Sequence, residues 1–167
     1  DVEDERHRMH ALPHGLSLPV LMWNMAAFRK AGLDPVRPPL SWQDVQDRAG
    51  RLRDAGVACP VTSSRFAWVH LENLSAQHGT PILVHEKNGA VRINLTRLVD
   101  IKHLALLASW QKSLYFRYFG PGAEADRRFL SGECAMITGE ASLVADARRA
   151  GLDVAAAISK GLAKQAY

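Results

Sequence analysis

Apolar positions along this chain fall into short continuous runs and into longer stretches with helical spacing. The first run, Pro19 to Asn24, is apolar up to its last residue, which predicts a strand buried on both faces. The side chain of Asn24 can accept from the free amides of a following helix, about residues 25–31. Gly32 stands where a left-handed helix end is expected. The sequence therefore predicts a strand followed closely by a short helix.

The second helix is predicted over about residues 42–55. Ser41 and Asp44 form a capping-box pattern at its start, because each side chain can accept from an amide near the other. One face carries an apolar stripe at 3-4-3 spacing: Trp42, Val45, Ala49 and Leu52.

Two further long helices are predicted, over about residues 66–78 and 97–112, with Thr96 as the cap of the second. The side chains expected to face inward from the first are Trp68, Leu71, Leu74 and Ser75. Those expected to face inward from the second are Leu98, Ile101, Leu104, Ala105 and Ala108. Each set would form the buried face of an amphipathic helix.

The remaining pattern alternates strands with helices. Strands are predicted over about residues 57–62, 134–138 and 152–158, with a turn-rich hairpin over 80–94 and short helices over 123–130 and 142–150. Residues 115–122 read as an aromatic, glycine-punctuated loop. Such alternation indicates an α/β layer, in which helices cover a mainly parallel sheet.

Size and charge narrow the function classes. A chain of 167 residues with 47% apolar composition can bury a proper core, and no apolar run approaches a membrane span. The net charge of +4 is spread over dispersed basic pairs without aromatic interleaving, so no nucleic-acid partner is predicted. The charged first ten residues do not form the apolar part of a signal peptide.

Few residues form a recognisable catalytic or metal-binding pattern. His7, His10 and His14 have 3-4 spacing, but Pro13 interrupts any helix that would align them, so no metal site is predicted. No phosphate-loop or dinucleotide glycine pattern is present, and no cofactor is predicted. Glu72 has no second carboxylate placed by sequence to pair with it, so it reads as a surface residue.

Four segments carry a resemblance to a known family: SLPVLMWNMAAFRKAGLDP, PPLSWQDV, WVHLENLSAQHG and FLSGECAMITGEASL. Together, in this order, they resemble the extracellular solute-binding proteins of ABC importers, the large family 1 group. The resemblance implies one lobe, mostly the second, of a two-lobed periplasmic-binding-protein type II (Venus-flytrap) fold. It would cover residues 10–158 as an internal fragment, with a frayed polar start over 1–9 and a divergent tail over 159–167.

The resemblance also implies ligand-binding residues at four positions. Ser17 aligns with a ligand-contacting serine, although a turn serine that caps its own backbone is the alternative. Trp42 matches a cleft tryptophan that can stack on a glycerol or sugar, and a core tryptophan is its alternative. Ser142 fits the small hydroxyl residues that the family places between a strand and a helix, where free amides can face an anion.

Glu140 departs from the family pattern at this loop. The glycerol-phosphate-binding members have serine at or beside this position, and a carboxylate about 4 Å from a phosphate would cost roughly 1–4 kcal/mol. Glu140 therefore suits a ligand with hydroxyls or a cation, such as a sugar or a choline-bearing phosphodiester. A solvated glutamate that compensates a helix dipole is the alternative.

The two cysteines, Cys59 and Cys134, are predicted to lie at strands and have no metal-like spacing. The family resembles this chain in carrying cysteine at both places. In an exported protein a disulfide is open to them, but two separate buried thiols is the interpretation favoured here.

The predicted function is that of a binding protein and not an enzyme. It would be a periplasmic monomer that captures sn-glycerol-3-phosphate, a glycerophosphodiester or a related sugar, and delivers it to ABC permease subunits in the membrane. One alternative is a small hydrolase that uses Glu72 or Glu140 with a nearby histidine. Another is a non-functional remnant or an interaction module, marked by an exposed apolar face.

Overall fold

The computed structural model describes residues 6–11 and 16–158 of the 167-residue chain. Three predictions fall wholly or partly outside these residues: the polar start over 1–5, the tail over 159–167, and His14 of the histidine series.

The described chain folds into helices and strands that follow the predicted order. The helices are α1 (Met25–Lys30), α2 (Trp42–Asp54), a π-helical segment (Trp68–Asn73) continued by α3 (Leu74–Gln77), α4 (Leu98–Lys112), α5 (Glu124–Leu130) and α6 (Leu143–Arg149). The strands are β1 (Pro19–Asn24), β2 (Cys59–Ser63), β3 (Leu83–His85), β4 (Val91–Ile93), β5 (Phe116–Arg117), β6 (Cys134–Glu140) and β7 (Val154–Ile158). Within this part of the chain, no helix is both long enough and apolar enough to cross a membrane.

A five-stranded sheet in the order β5-β2-β6-β1-β7 forms the centre of the fold. β2 pairs in parallel with β5 and β6, whereas β1 pairs antiparallel with β6 and β7. Four strands therefore run one way and β1 runs the other, which confirms a mainly parallel sheet. The predicted hairpin is β3–β4, which pairs antiparallel as a separate ribbon.

Helices cover both faces of the sheet, and β1 contributes alternate side chains to each. Leu21 and Trp23 face a core that also contains Phe28, side chains of α2 and side chains of α4. Val20 and Met22 face a second core, built with α5 and α6. The burial of β1 on both faces explains its continuous apolar sequence.

The predicted helix ends of the first segment are confirmed. The Asn24 side chain accepts from the amides of Ala26 and Ala27, and Gly32 has a φ of 67° just after α1. At α2, the Ser41 hydroxyl accepts from the Asp44 amide at 3.1 Å. The Asp44 carboxylate accepts in turn from the amide of Leu40 at 2.8 Å.

The predicted buried face of α4 is wrong. The five residues expected to face inward are exposed: Leu98, Ile101, Leu104, Ala105 and Ala108. The buried residues of α4 are instead Asp100, His103, Leu107 and Trp110. Both stripes have helical spacing, and the buried one includes two polar residues that each form a hydrogen bond in the core, His103 with His70 and Asp100 with Ser75. The predicted Thr96 cap is also wrong, because its hydroxyl bonds to Asn94 and the helix has no side-chain cap.

The inward face predicted for residues 66–78 is correct only at its end. Leu74 and Ser75 are buried, but Val69 and His70 take the inward positions expected for Trp68 and Leu71. The cause is the π-helical segment, since its wider turn breaks the 3.6-residue period on which the prediction rested.

The prediction of two separate thiols is also wrong, since Cys59 and Cys134 form a disulfide. They lie directly opposite each other on the neighbouring parallel strands β2 and β6, with Cα atoms 4.5 Å apart. Sequence spacing could not show this register, because 75 residues separate the two cysteines.

Candidate functional site

The candidate site lies at one end of the sheet, here called the carboxyl edge. It consists of the carboxyl ends of β2 and β6, the turns that follow them, and the entry to β1. β2 and β6 are parallel, so Ser63 and Thr138 pair beside each other near this edge. Ligands of open α/β sheets usually bind outside the carboxyl ends of the strands.

Ser17 and Ser142 lie together at the carboxyl edge. Pro19 pairs with Glu140, and the amide of Ala141 donates to the carbonyl of Leu18 at 3.0 Å. The antiparallel register therefore brings Ser17 beside the turn that contains Ser142. Both serines are exposed, so their hydroxyls can reach a solute.

Glu140 ends β6 at the same edge, where it forms an ion pair with Arg65. Arg65 Nη2 lies 3.0 Å from Glu140 Oε2. The carboxylate expected to disfavour a phosphate is therefore accompanied by a guanidinium of opposite charge. Sequence reasoning missed Arg65, because it is 75 positions from Glu140 and belongs to no motif.

Trp42 does not lie openly at the carboxyl edge. Only 5% of its surface is exposed, and its ring lies 4.9 Å from His103 and 6.2 Å from Trp110, measured between ring centroids. This location matches the core alternative stated for Trp42. His70 links Trp42 to the edge. The ring of His70 lies 5.6 Å from the ring of Trp42, and its Nε2 atom bonds to the Thr138 hydroxyl.

A buried polar network lies beneath the carboxyl edge and was not predicted. His70 Nε2 is 2.9 Å from the Thr138 hydroxyl, and His70 Nδ1 is 2.9 Å from His103 Nε2. Beside them, the Ser75 hydroxyl donates to Asp100 at 2.9 Å. No sequence signal joins these residues, which come from four elements and meet only through packing.

Burial sets the charge of this network. Burial, with a smaller contribution from the nearby His78, lowers the pKa of His103 to about 4. Burial also lowers the pKa of His70 well below its ordinary value, with His103 contributing a smaller effect. Both rings are therefore neutral at pH 7, and each neutral ring supplies one donor and one acceptor to the network.

The hydrolase alternative finds little support in this geometry. Thr138 and His70 form a hydroxyl–imidazole pair within hydrogen-bond reach, but they are 0% and 1% exposed, so no substrate can approach them. Glu72 is exposed, Glu140 pairs with Arg65, and neither contacts a histidine among the described residues.

The described residues contain no group of three or more histidine, cysteine or acidic side chains that could hold a metal ion.

Two cavities of the described structure lie away from the carboxyl edge. One of about 760 Å³ separates the π-helical segment from the β3–β4 hairpin and is lined mainly by apolar side chains, with Glu72 at its wall. Another, of about 460 Å³, lies between Phe66, Tyr118 and α4. The carboxyl edge itself is an open surface.

Comparison with curated proteins finds similar sequences over most of this chain. A sn-glycerol-3-phosphate-binding periplasmic protein (UgpB) of Pectobacterium atrosepticum is 38% identical over 140 residues, which is 81% of this chain and 31% of that protein. The UgpB of Yersinia pseudotuberculosis is 38% identical over 146 residues, 84% of this chain and 33% of that protein. The chain thus spans about a third of the length of these relatives. No family model matches it.

Comparison with solved structures finds the same fold. UgpB from Mycobacterium tuberculosis, in complex with glycerophosphocholine, superposes with a TM-score of 0.72 at 19% identity, covering 92% of this chain and 40% of that one. The GacH receptor of Streptomyces glaucescens superposes with a TM-score of 0.70 at 15% identity, covering 94% and 40%. These likenesses confirm the predicted periplasmic-binding-protein type II lobe. The chain is therefore similar to one stretch of the sn-glycerol-3-phosphate-binding periplasmic proteins and folds as one lobe of that architecture.

Proposed function

We propose that this chain forms one side of the solute-binding cleft in the substrate-binding component of an ABC importer. The solute would be sn-glycerol-3-phosphate, a glycerophosphodiester or a related sugar, captured in the periplasm and passed to permease subunits. The observation that carries this proposal is the meeting of Ser17, Glu140 and Ser142 at the carboxyl edge. The names of the similar proteins support the class of solute and the location.

The proposed binding is by hydrogen bonds and charge from an exposed edge. Ser17 and Ser142 each offer a hydroxyl that can donate and accept, and Arg65 and Glu140 offer both signs of charge. Closure of a second lobe over the solute would bury these contacts, and the closed state is favoured because only there do both sides touch the ligand. Trp42 would support the edge from below through His70.

Ligand-observed saturation-transfer NMR tests this proposal on the chain itself. The ligands are sn-glycerol-3-phosphate, glycerophosphocholine and maltose, and we expect a signal from at least one phosphate-bearing ligand. Ser17→Ala and Ser142→Ala should each weaken binding by about threefold to tenfold, the size of one lost hydrogen bond. Ser131→Ala is the matched control, since Ser131 is also exposed but bonds its hydroxyl to Arg128 at the end of α5. No saturation transfer at millimolar ligand would contradict the proposal.

The affinity of this chain should be far below that of a two-lobed relative, because it offers contacts from one side only. Calorimetry on both proteins with the same ligand measures the difference. Equal dissociation constants would show that one lobe is sufficient and would remove the clamp mechanism.

One observation favours the interaction-module alternative. Leu98, Ile101 and Leu104 on α4 are large apolar side chains exposed on one face. If this face joins two copies of the chain, sedimentation will show concentration-dependent dimers that Ile101→Lys abolishes. A monomer at all concentrations would remove this alternative.

A further inference from the structure

We propose that Arg65 and Glu140 together select solutes that carry both an anionic and a cationic group. The guanidinium would receive the anionic group and the carboxylate the cationic group. This inference rests on the proposed function and assigns the residues that select among its solutes. It begins from the one ion pair that the structure places at the carboxyl edge among the described residues.

The backbone holds Arg65 in a conformation that its side chain type rarely adopts. Its φ is 50°, in the left-handed region, directly after β2 ends at Ser63. Two backbone hydrogen bonds fix the turn: the amide of Ser64 donates to Thr138 at 2.9 Å, and the amide of Val69 donates to Arg65 at 3.0 Å. Strained residues of this kind persist where the surrounding structure fixes them, and they concentrate at binding sites.

A close approach between two chain segments brings Arg65 to Glu140. Gly139 precedes Glu140, and a Cβ atom built on it would lie 2.5 Å from the Ser64 hydroxyl oxygen. Any larger residue at position 139 would require the Ser64 side chain to move, so glycine lets the Ser64–Arg65 turn lie close against β6 without that change. The close approach of the two segments brings the Arg65 and Glu140 side chains within reach of each other.

Both charged groups remain open to a ligand. Arg65 is 64% exposed and Glu140 28% exposed, and one contact of 3.0 Å joins them. A guanidinium has five N–H donors and a carboxylate about four acceptor sites, so a single contact leaves most of each group unused. An exposed pair of this kind adds little to folding stability. Its position beside Ser17 and Ser142 indicates a role in recognition instead.

The charges at the edge distinguish two kinds of phosphate-bearing solute. A phosphodiester with a quaternary ammonium can place its anionic group on the guanidinium and its cation near the carboxylate, so that both charges are compensated. A phosphate monoester meets the same guanidinium but offers nothing to the carboxylate, which repels it. Glu140 therefore favours the zwitterion over the monoester, while Arg65 supports both.

Dissociation constants from ¹H–¹⁵N NMR titrations of the whole chain test this assignment. The probes are glycerophosphocholine as the zwitterion and sn-glycerol-3-phosphate as the anion. Glu140→Gln keeps the shape of the side chain and removes its charge, so it should weaken binding of the zwitterion and strengthen binding of the monoester. The ratio of the two constants should change by about tenfold in favour of the monoester.

A second variant tests the other half of the pair. Arg65→Asn should weaken binding of both probes by about fivefold or more, and asparagine tolerates the left-handed turn. Arg29→Gln is the matched control, because Arg29 forms a similarly exposed ion pair with Asp153 at 2.8 Å, next to the opposite end of the sheet. This control should change neither constant.

The outcomes separate this inference from the proposed function. If the wild-type chain binds neither probe, the proposed function fails and the inference falls with it. If it binds both and Glu140→Gln leaves their ratio unchanged, the inference alone is overturned. A changed ratio in Arg29→Gln would also overturn it, because the effect would then come from general charge.

Discussion

Lowering the pH should destabilise the fold through the buried histidine network. The pKa of His103 is lowered to about 4 inside the protein, whereas an unfolded histidine titrates near its ordinary value of 6.5. Below pH 6.5 the unfolded chain therefore binds a proton that the folded chain does not. The contribution of neutral His103 to the free energy of unfolding is fully present at neutral pH and is lost as the pH falls from 6.5 towards 4.

The size of the effect follows from the difference between the two pKa values. A difference of about 2.5 units (6.5 minus 4) corresponds to a limit of about 3 kcal/mol, since each unit is worth about 1.4 kcal/mol. When the pH is lowered from about 7 to about 4.5, the titration of His103 should lower the free energy of unfolding by about 2 kcal/mol. His70 acts in the same direction, because burial lowers its pKa too.

Urea unfolding at a series of pH values measures this loss. His103→Gln can still hydrogen-bond to His70 but cannot take up a proton, so its free energy of unfolding should fall less steeply with pH than that of the wild type. His85→Gln is the control, since His85 is exposed on β3, and its slope should match the wild type. Equal slopes in wild type and His103→Gln would refute the reasoning.

Three further predictions concern the disulfide, Gly139 and Trp42. Replacing both Cys59 and Cys134 by alanine should lower the free energy of unfolding by about 4 kcal/mol, because the disulfide closes a loop of 75 residues in the unfolded chain. Urea unfolding measures this loss, and an unchanged midpoint would contradict it. Gly139→Ala should lower the free energy of unfolding by about 1–3 kcal/mol. Combined with Ser64→Ala it should lower it much less, because the second change removes the clashing hydroxyl; additive losses in a double-mutant cycle would contradict the close approach. Trp42→Ala should cost about 3–5 kcal/mol in thermal unfolding as a core residue, and a loss of binding without a loss of stability would instead favour direct ligand contact.

Local signals in the sequence predicted most of the fold. The cap at Asn24, the glycine after α1 and the apolar stripe of α2 all lie where the sequence put them, because each depends on neighbours a few residues away. The order of strands and helices followed from the same signals. These features needed no knowledge of distant contacts.

The errors arose where burial depends on distant partners. α4 carries two helical stripes, and the sequence favoured the apolar one. The buried stripe instead contains Asp100 and His103, which form hydrogen bonds with Ser75 and His70. The π-helical segment rotated the inward face by changing the residues per turn. The disulfide followed from a strand register that spacing does not encode.

In the candidate site, too, some residues could be predicted from the sequence and others depended on distant contacts. Resemblance supplied Ser17, Glu140 and Ser142, and the antiparallel register of β1 with β6 brings them together. It could not supply Arg65, which reaches Glu140 because the turn after β2 lies close against β6 beside Gly139. Their roles in binding remain predictions.

A crystal structure of this chain with glycerophosphocholine bound would test the central claim most directly. We predict that the ligand lies at the carboxyl edge, with polar atoms within hydrogen-bond distance of Ser17, Ser142 or Arg65. A ligand seated instead in the cavity between the π-helical segment and the β3–β4 hairpin, with the carboxyl edge untouched, would contradict the account.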